Sequence, residues 1–153
     1  MAILNILKEG EPTLAKTSRP VDVITERTLT LLDDMAETMR RANGVGLAAP
    51  QVGVLRRIVV CEVVPGELIE LINPEIIETS GSQTGPEGCL SVPGKQGTVT
   101  RPLNVKVRAL DRTGKVREYE GEGLLARCFC HEIDHLDGKL YTAIATDLEY
   151  TED

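Results

Sequence analysis

The only two histidines of the chain stand four residues apart, in His131-Glu132-Ile133-Asp134-His135. On a helix, positions i and i+4 project from one face, ~40° apart around the axis. Two imidazoles so placed can share one metal ion, and the fold must then supply a helix at this point. The flanking residues agree: a helical period runs from about Glu122 to Asp137, and Gly138 stands where a terminator belongs. Such a pentapeptide also arises by chance on a solvated helix face. Without a third ligand both readings stay open.

A third ligand is offered by Cys89, in Pro86-Glu87-Gly88-Cys89-Leu90-Ser91-Val92-Pro93, where glycine and prolines predict a stiff turn around one thiol. A free cysteine is more often a small buried hydrophobe. One Cys and two His would leave the fourth tetrahedral position open to water, which marks catalytic rather than closed zinc-type sites. Glu132 would then lie beside that water as general acid/base. A further segment, Gly44-Val45-Gly46-Leu47-Ala48-Ala49-Pro50-Gln51-Val52-Gly53, lacks the Lys and Ser/Thr of a phosphate loop. Its glycines would let a substrate backbone approach closely, and the Gln51 amide is a donor suited to an oxyanion. Taken alone, the segment reads as a tight turn with small packing residues.

The remaining pattern predicts an α+β fold: antiparallel strands packed around the central helix that bears the histidines, with a second, N-terminal helix. Residues 1 to 24, broken by Pro12 and Pro20, read as an irregular arm. From Thr25 to Asn43, Leu32, Met35, Ala36 and Met39 recur at helical spacing; Thr25 is a cap, and Asn43-Gly44 a left-handed end. Strands are expected over Arg57 to Val64, Glu67 to Ile72, Val99 to Leu110 and Lys115 to Tyr119, the last pair joined by a turn at Asp111-Arg112-Thr113-Gly114.

Composition narrows the function. The 153 residues, 41% hydrophobic and 27% charged, suit one globular domain over 1–153 that needs no disulfide to hold together. Lys+Arg 17 against Asp+Glu 24 gives a net charge of -7, so nucleic acid and anionic membrane surfaces are disfavoured as partners. Neither a signal peptide nor a spanning segment is read at the amino terminus, where Asn5, Lys8 and Glu9 interrupt the apolar run. A cytoplasmic protein is expected, with Cys61, Cys89, Cys128 and Cys130 as thiols or ligands rather than disulfides. Oligomeric state is not readable from the sequence.

Gly44 to Gln51, Glu87 to Ser91 and His131 to Gly138 resemble, in order and spacing, the GxGLAAxQ, EGCLS and QHExDHLxG signatures of the peptide deformylase family. The resemblance implies removal of the formyl group from the N-terminal formylmethionine of nascent polypeptides, with release of formate. It implies Cys89, His131 and His135 as ligands of one divalent metal, Fe(II) in the cell with Zn(II) or Ni(II) accepted. Glu132 is implied as the acid/base, and Gln51 with the backbone N–H of Leu90 as the oxyanion donors. Substrate contacts are expected at Val45, Gly46, Glu87, Leu124, Arg127 and Cys128, with the peptide adding to a strand edge near Val45 and Gly46.

Two positions depart from the family pattern. Cys130 replaces the usual Gln before the first His; at ~100° around the helix from His131 it is no ligand, but a supporting contact is lost. Arg127 stands where an apolar residue is usual, and is expected to snorkel with its guanidinium in water, or else to give the pocket a taste for acidic groups. Two other functions compete. A metallopeptidase would need a third His or Glu downstream, for which Glu149 is the nearby choice; a non-catalytic, metal-stabilised module would have no use for Gln51 and Glu132. Finally, the carboxylates Asp147, Glu149, Glu152 and Asp153, with no Lys or Arg among residues 147 to 153, argue against docking on ribosomal RNA through that segment.

Overall fold

The computed structural model describes residues 2–150. Helix α1 (Glu26–Arg41) starts at Thr25, whose side chain accepts from the Thr28 N–H while the Thr28 hydroxyl accepts from the Thr25 N–H. This reciprocal box satisfies two N–H groups that the first turn leaves free. At the other end Asn43, not Gly44, takes the left-handed conformation, with φ 59. Gly44 instead faces Leu90: a Cβ there would lie 2.6 Å from Leu90 Cδ1 and displace that side chain.

Strands β1 (Gly46–Ala48), β2 (Ile58–Cys61), β3 (Ile69–Ser80), β6 (Asn104–Leu110) and β7 (Val116–Glu122) form one antiparallel sheet in the order β1-β2-β3-β6-β7. Strands β4 (Gln83–Cys89), β5 (Val92–Arg101) and β8 (Thr146–Tyr150) form a second, in the order β4-β5-β8. Helix α2 (Leu124–Leu136) carries both histidines. The five-stranded sheet lies between the helices: Ile58, Val60 and Ile72 pack with Leu32, Met35 and Met39 of α1, while Val59, Cys61 and Leu71 pack with Phe129, Ile133 and Leu136 of α2. With period-2 alternation and both faces covered, β2 reads as an unbroken apolar run.

Two strand expectations and one turn change, and one strand is new. The run Val99 to Leu110 is two strands, parted at Pro102-Leu103 and belonging to different sheets. Strand β3 does not stop at Ile72; it continues past Pro74 through a register shift at Asn73, which has φ 54 and exchanges two side-chain hydrogen bonds with the Val21 backbone. Pro86-to-Pro93 is a hairpin rather than a stiff turn: Cys89 ends β4, Val92 pairs with it, and Pro86 is tolerated because β4 is an edge. Strand β8, paired with β5 and exposed throughout, was not signalled by the sequence. It includes Asp147 and Glu149, whereas residues 151–153 of the acidic segment lie outside the described residues.

Candidate metal centre

The β4–β5 hairpin lies along α2 from Arg127 to His135, and polar side chains fix it there. Arg101, at the end of β5, donates from Nε and Nη2 to Glu87 of β4 (3.1 and 2.7 Å) and from Nη1 to Asp134 of α2 (2.7 Å). The His131 Nδ1–H donates to Glu87 Oε2 at 2.6 Å. That bond selects the tautomer and leaves His131 Nε2 as the free donor atom. Clamped in this way, the strand carries Cys89 to the helix: Cys89 Sγ lies 3.3 Å from His135 Nε2. Ligand atoms of Cys89, His131 and His135 all fall within 4.8 Å of one another, the one such cluster of metal-binding type among the described residues.

The electrostatics suit a cation. Burial alone would raise the Glu87 carboxyl, but hydrogen bonds from His131 and Arg101 outweigh it and hold the group at about 2. Desolvation works against a charged His131, yet Glu132, Cys89 and Glu87 around it push it well above its ordinary value. His135 goes the other way, to about 3, through burial and the neighbouring His131, and so stays a neutral donor. Glu132 is raised to about 7, chiefly by burial. Its Oε1 is buried with no hydrogen-bond partner. Such an orphan calls for a small polar guest, since a buried acceptor without a partner is costly.

A cleft of about 470 Å³ opens on this group, lined on one side by Val45 and Gly46 and on the other by Cys89, Leu90 and Lys95, with His131 and Glu132 at its floor. Its walls are β1, which ends the five-stranded sheet and has β2 on one side only, and the β4–β5 hairpin. Gln51, in the 3-10 turn Ala49–Val52, is fixed at both ends of its amide. Its Oε1 accepts from Ala48 N–H (2.9 Å), and its Nε2 donates to Ser91 Oγ (3.0 Å) while lying 3.6 Å from Cys89 Sγ. Gly46 lets β1 approach α2 closely, because a Cβ would come 2.6 Å from both Cys128 Sγ and Glu132 Oε2 and force one of them to move.

The structure thus brings together Gln51, Cys89, Leu90, His131, Glu132 and His135, with Val45 and Gly46 beside them. Others of the expected substrate contacts lie elsewhere. Glu87 is buried beneath the cleft and committed to Arg101, Arg127 and His131. Arg127 does not snorkel: it is only 8% exposed, and its Nη1 donates to Glu87 Oε1 (2.8 Å) and Val99 O (3.1 Å). The hairpin covers that face of α2 and supplies a carboxylate to receive the charge. Leu124 is 54% exposed in the first turn of α2 and does not line the cleft. Cys128 is buried behind Gly46, its Sγ 3.1 Å from Cys61 Sγ. Cys130 packs into the core, where burial pushes its thiol up to about 11. Glu149, the alternative ligand of the peptidase reading, is exposed on β8 opposite Gln96 and outside the cluster. Sequence reasoning missed Arg101, Asp134 and Ser91; Asp134 lies within the histidine pentapeptide and Ser91 closes the Glu87-to-Ser91 signature, while nothing in the sequence marks Arg101.

The sequence model of the family described as "Polypeptide deformylase" matches residues 3–150. The chain belongs to the peptide deformylase family. It is 60% identical over 141 residues to a peptide deformylase of Agathobacter rectalis, covering 92% of this chain and 89% of the relative. A peptide deformylase of Lachnoclostridium phytofermentans is 62% identical over 143 residues, covering 92% and 88%. The crystal structure of a peptide deformylase from Legionella pneumophila superposes with a TM-score of 0.92 at 48% identity, over 95% of this chain and 88% of that one. That from Thermotoga maritima gives 0.91 at 37% identity, over 95% and 99%. With relatives this close over most of its length, and a Cys/His/His triad of the kind the family uses, the chain is a metal-dependent hydrolase with peptide deformylase activity.

Proposed function

We propose that the chain removes the formyl group from the N-terminal formylmethionine of newly made polypeptides, releasing formate, and that it does so in the cytoplasm where those chains emerge. Cys89, His131 and His135 would hold one divalent metal, and the residues fit such an ion: one thiol and two imidazoles suit first-row divalent metals, and negative groups surround them. Fe(II) is proposed in the cell, with Zn(II) or Ni(II) accepted by the same donors. The bound ion supplies Lewis acidity, which makes water a nucleophile near neutral pH.

The protein's own residues do the rest. Glu132 takes the proton of the attacking water on its free Oε1 and returns it to the departing amine nitrogen. Gln51 Nε2, aimed toward Cys89 by its bonds to Ala48 and Ser91, and the Leu90 N–H donate to the formyl oxygen as negative charge develops there. The peptide backbone adds to the free edge of β1 at Val45 and Gly46, while the methionine side chain enters the apolar lining of the cleft. No helix of the described residues is long and apolar enough to cross a membrane.

The observation that carries this reading is the buried, unpartnered Glu132 carboxylate beside three converging metal donors. Glu132→Gln keeps the shape and removes the proton acceptor. It is expected to retain one metal per chain by elemental analysis and to lose formate release by roughly 10²–10⁴-fold. Turnover within tenfold of wild type would move the proton transfer to another group.

A further inference from the structure

We propose that Arg127 is a positioning residue for the metal centre, holding the Glu87 carboxylate that in turn orients His131. The proposal deepens the metal reading above and rests on it. Residues 127 and 131 are one turn apart on α2, and each binds a different oxygen of the same carboxylate. Arg127 Nη1 donates to Glu87 Oε1 at 2.8 Å, and His131 Nδ1 donates to Oε2 at 2.6 Å. Arg101 fills the remaining positions, with Nε on Oε1 (3.1 Å) and Nη2 on Oε2 (2.7 Å). Each oxygen of Glu87 therefore receives two hydrogens, and the carboxylate cannot turn without breaking a charge-assisted bond. Arg127 is itself tied to the hairpin through the Val99 carbonyl at 3.1 Å.

Charge balance gives the second argument. Arg101 is shared between Glu87 and Asp134, so two carboxylates face one guanidinium. Asp134 is partly solvated, its side chain 32% exposed, so the balance matters most at Glu87, where the side chains of Glu87, Arg101 and Arg127 are 4%, 6% and 9% exposed. Buried charge left unpaired is expensive, and the structure would relieve it by moving Glu87. Such a movement would carry the consequences to the ligands: His131 would lose its fixed tautomer, and Cys89, two residues beyond Glu87 on β4, would lose its set distance from α2.

The test is Co(II) affinity, measured by chelator competition, together with the Co(II) d–d and thiolate charge-transfer bands, in wild type, Arg127→Met, Arg127→Lys and a core control. Leu32→Ala serves as control because Leu32 is fully buried in α1 on the far face of the sheet. Arg127→Met is expected to bind Co(II) roughly 10–100-fold more weakly with altered d–d bands. Arg127→Lys, which keeps the charge but replaces the planar guanidinium with a shorter, freely rotating ammonium, should fall between it and wild type. Leu32→Ala should lower the melting temperature and leave affinity and bands unchanged. Wild-type affinity and spectrum in Arg127→Met would overturn the proposal, as would an equal loss in Leu32→Ala. Should the Met variant not fold, the Lys variant decides: a several-fold loss is expected, and wild-type affinity with an unchanged spectrum overturns the role. Absence of Co(II) binding in the wild type would instead overturn the metal reading on which this one rests.

Discussion

Glu87 and Arg127 illustrate how far a single position depends on chain remote from it. The sequence places Arg127 on the histidine face of α2, correctly, but whether its guanidinium meets water depends on a hairpin contributed some 30–40 residues earlier, which no local period announces. Glu87, adjacent to the Gly-Cys pair, reads equally well as a substrate contact; burial and the double arginine clamp make it a support for His131 instead. A pH dependence follows from it. The Glu87 carboxyl sits at about 2 in the folded chain against an ordinary value of 4.5, so the unfolded state binds more protons between those limits. Stability contributed by its ionised form is fully present above pH 4.5 and is lost as pH falls toward 2. The loss is on the order of 3 kcal/mol. Urea unfolding at a series of pH values should show a steeper acid decline in wild type than in Glu87→Gln. Parallel declines would contradict the assignment of that carboxylate.

At the level of elements, both helices were legible because a 3.6 period and terminating residues coincide within one segment, with the Thr25 cap added for α1. Strands were less so. A run such as Val99 to Leu110 is apolar and alternating throughout, and only the tertiary arrangement shows that it passes from one sheet to the other at Pro102. Strand β8 has no buried face to produce alternation, and β1 is three residues long. What β1 lacks in length it makes up in closeness to α2, and Gly46 is the contact point. An added methyl there meets the Cys128 sulfur and the Glu132 carboxylate, so Gly46→Ala must push β1 off the helix or displace Glu132. Overpacking of this kind costs roughly 1–3 kcal/mol. The expected outcome is a lowered melting temperature and at least a roughly tenfold loss of kcat, since a displaced acid/base costs more than that. Gly85→Ala, whose nearest neighbour would be Arg127 Nη2 at an ordinary 3.7 Å, should remain near wild type. Wild-type kcat in Gly46→Ala would mean that the close approach of β1 is not needed for the reaction.

Across the whole molecule, two sheets meet on one helix, and the cleft lies at their junction, between the free edge of β1 and the hairpin that bears Cys89. The donor set was legible from the sequence because each of its members sits in a short signature: a lone histidine pair at helical spacing, a thiol among glycine and prolines, and a glutamine after a glycine-rich turn. Its support was not, because Arg101 stands outside every signature and Asp134, though inside the histidine pentapeptide, meets its partner only once β5 crosses α2. Formate release from formylmethionyl peptides is the direct measurement, made on protein prepared without oxygen, before and after removal of its metal and after reloading with Fe(II) or Ni(II). One metal per chain, formate released in step with metal content, and loss of both in Cys89→Ala are expected. A fully loaded chain that releases no formate, or formate release that survives complete removal of the metal, would contradict it.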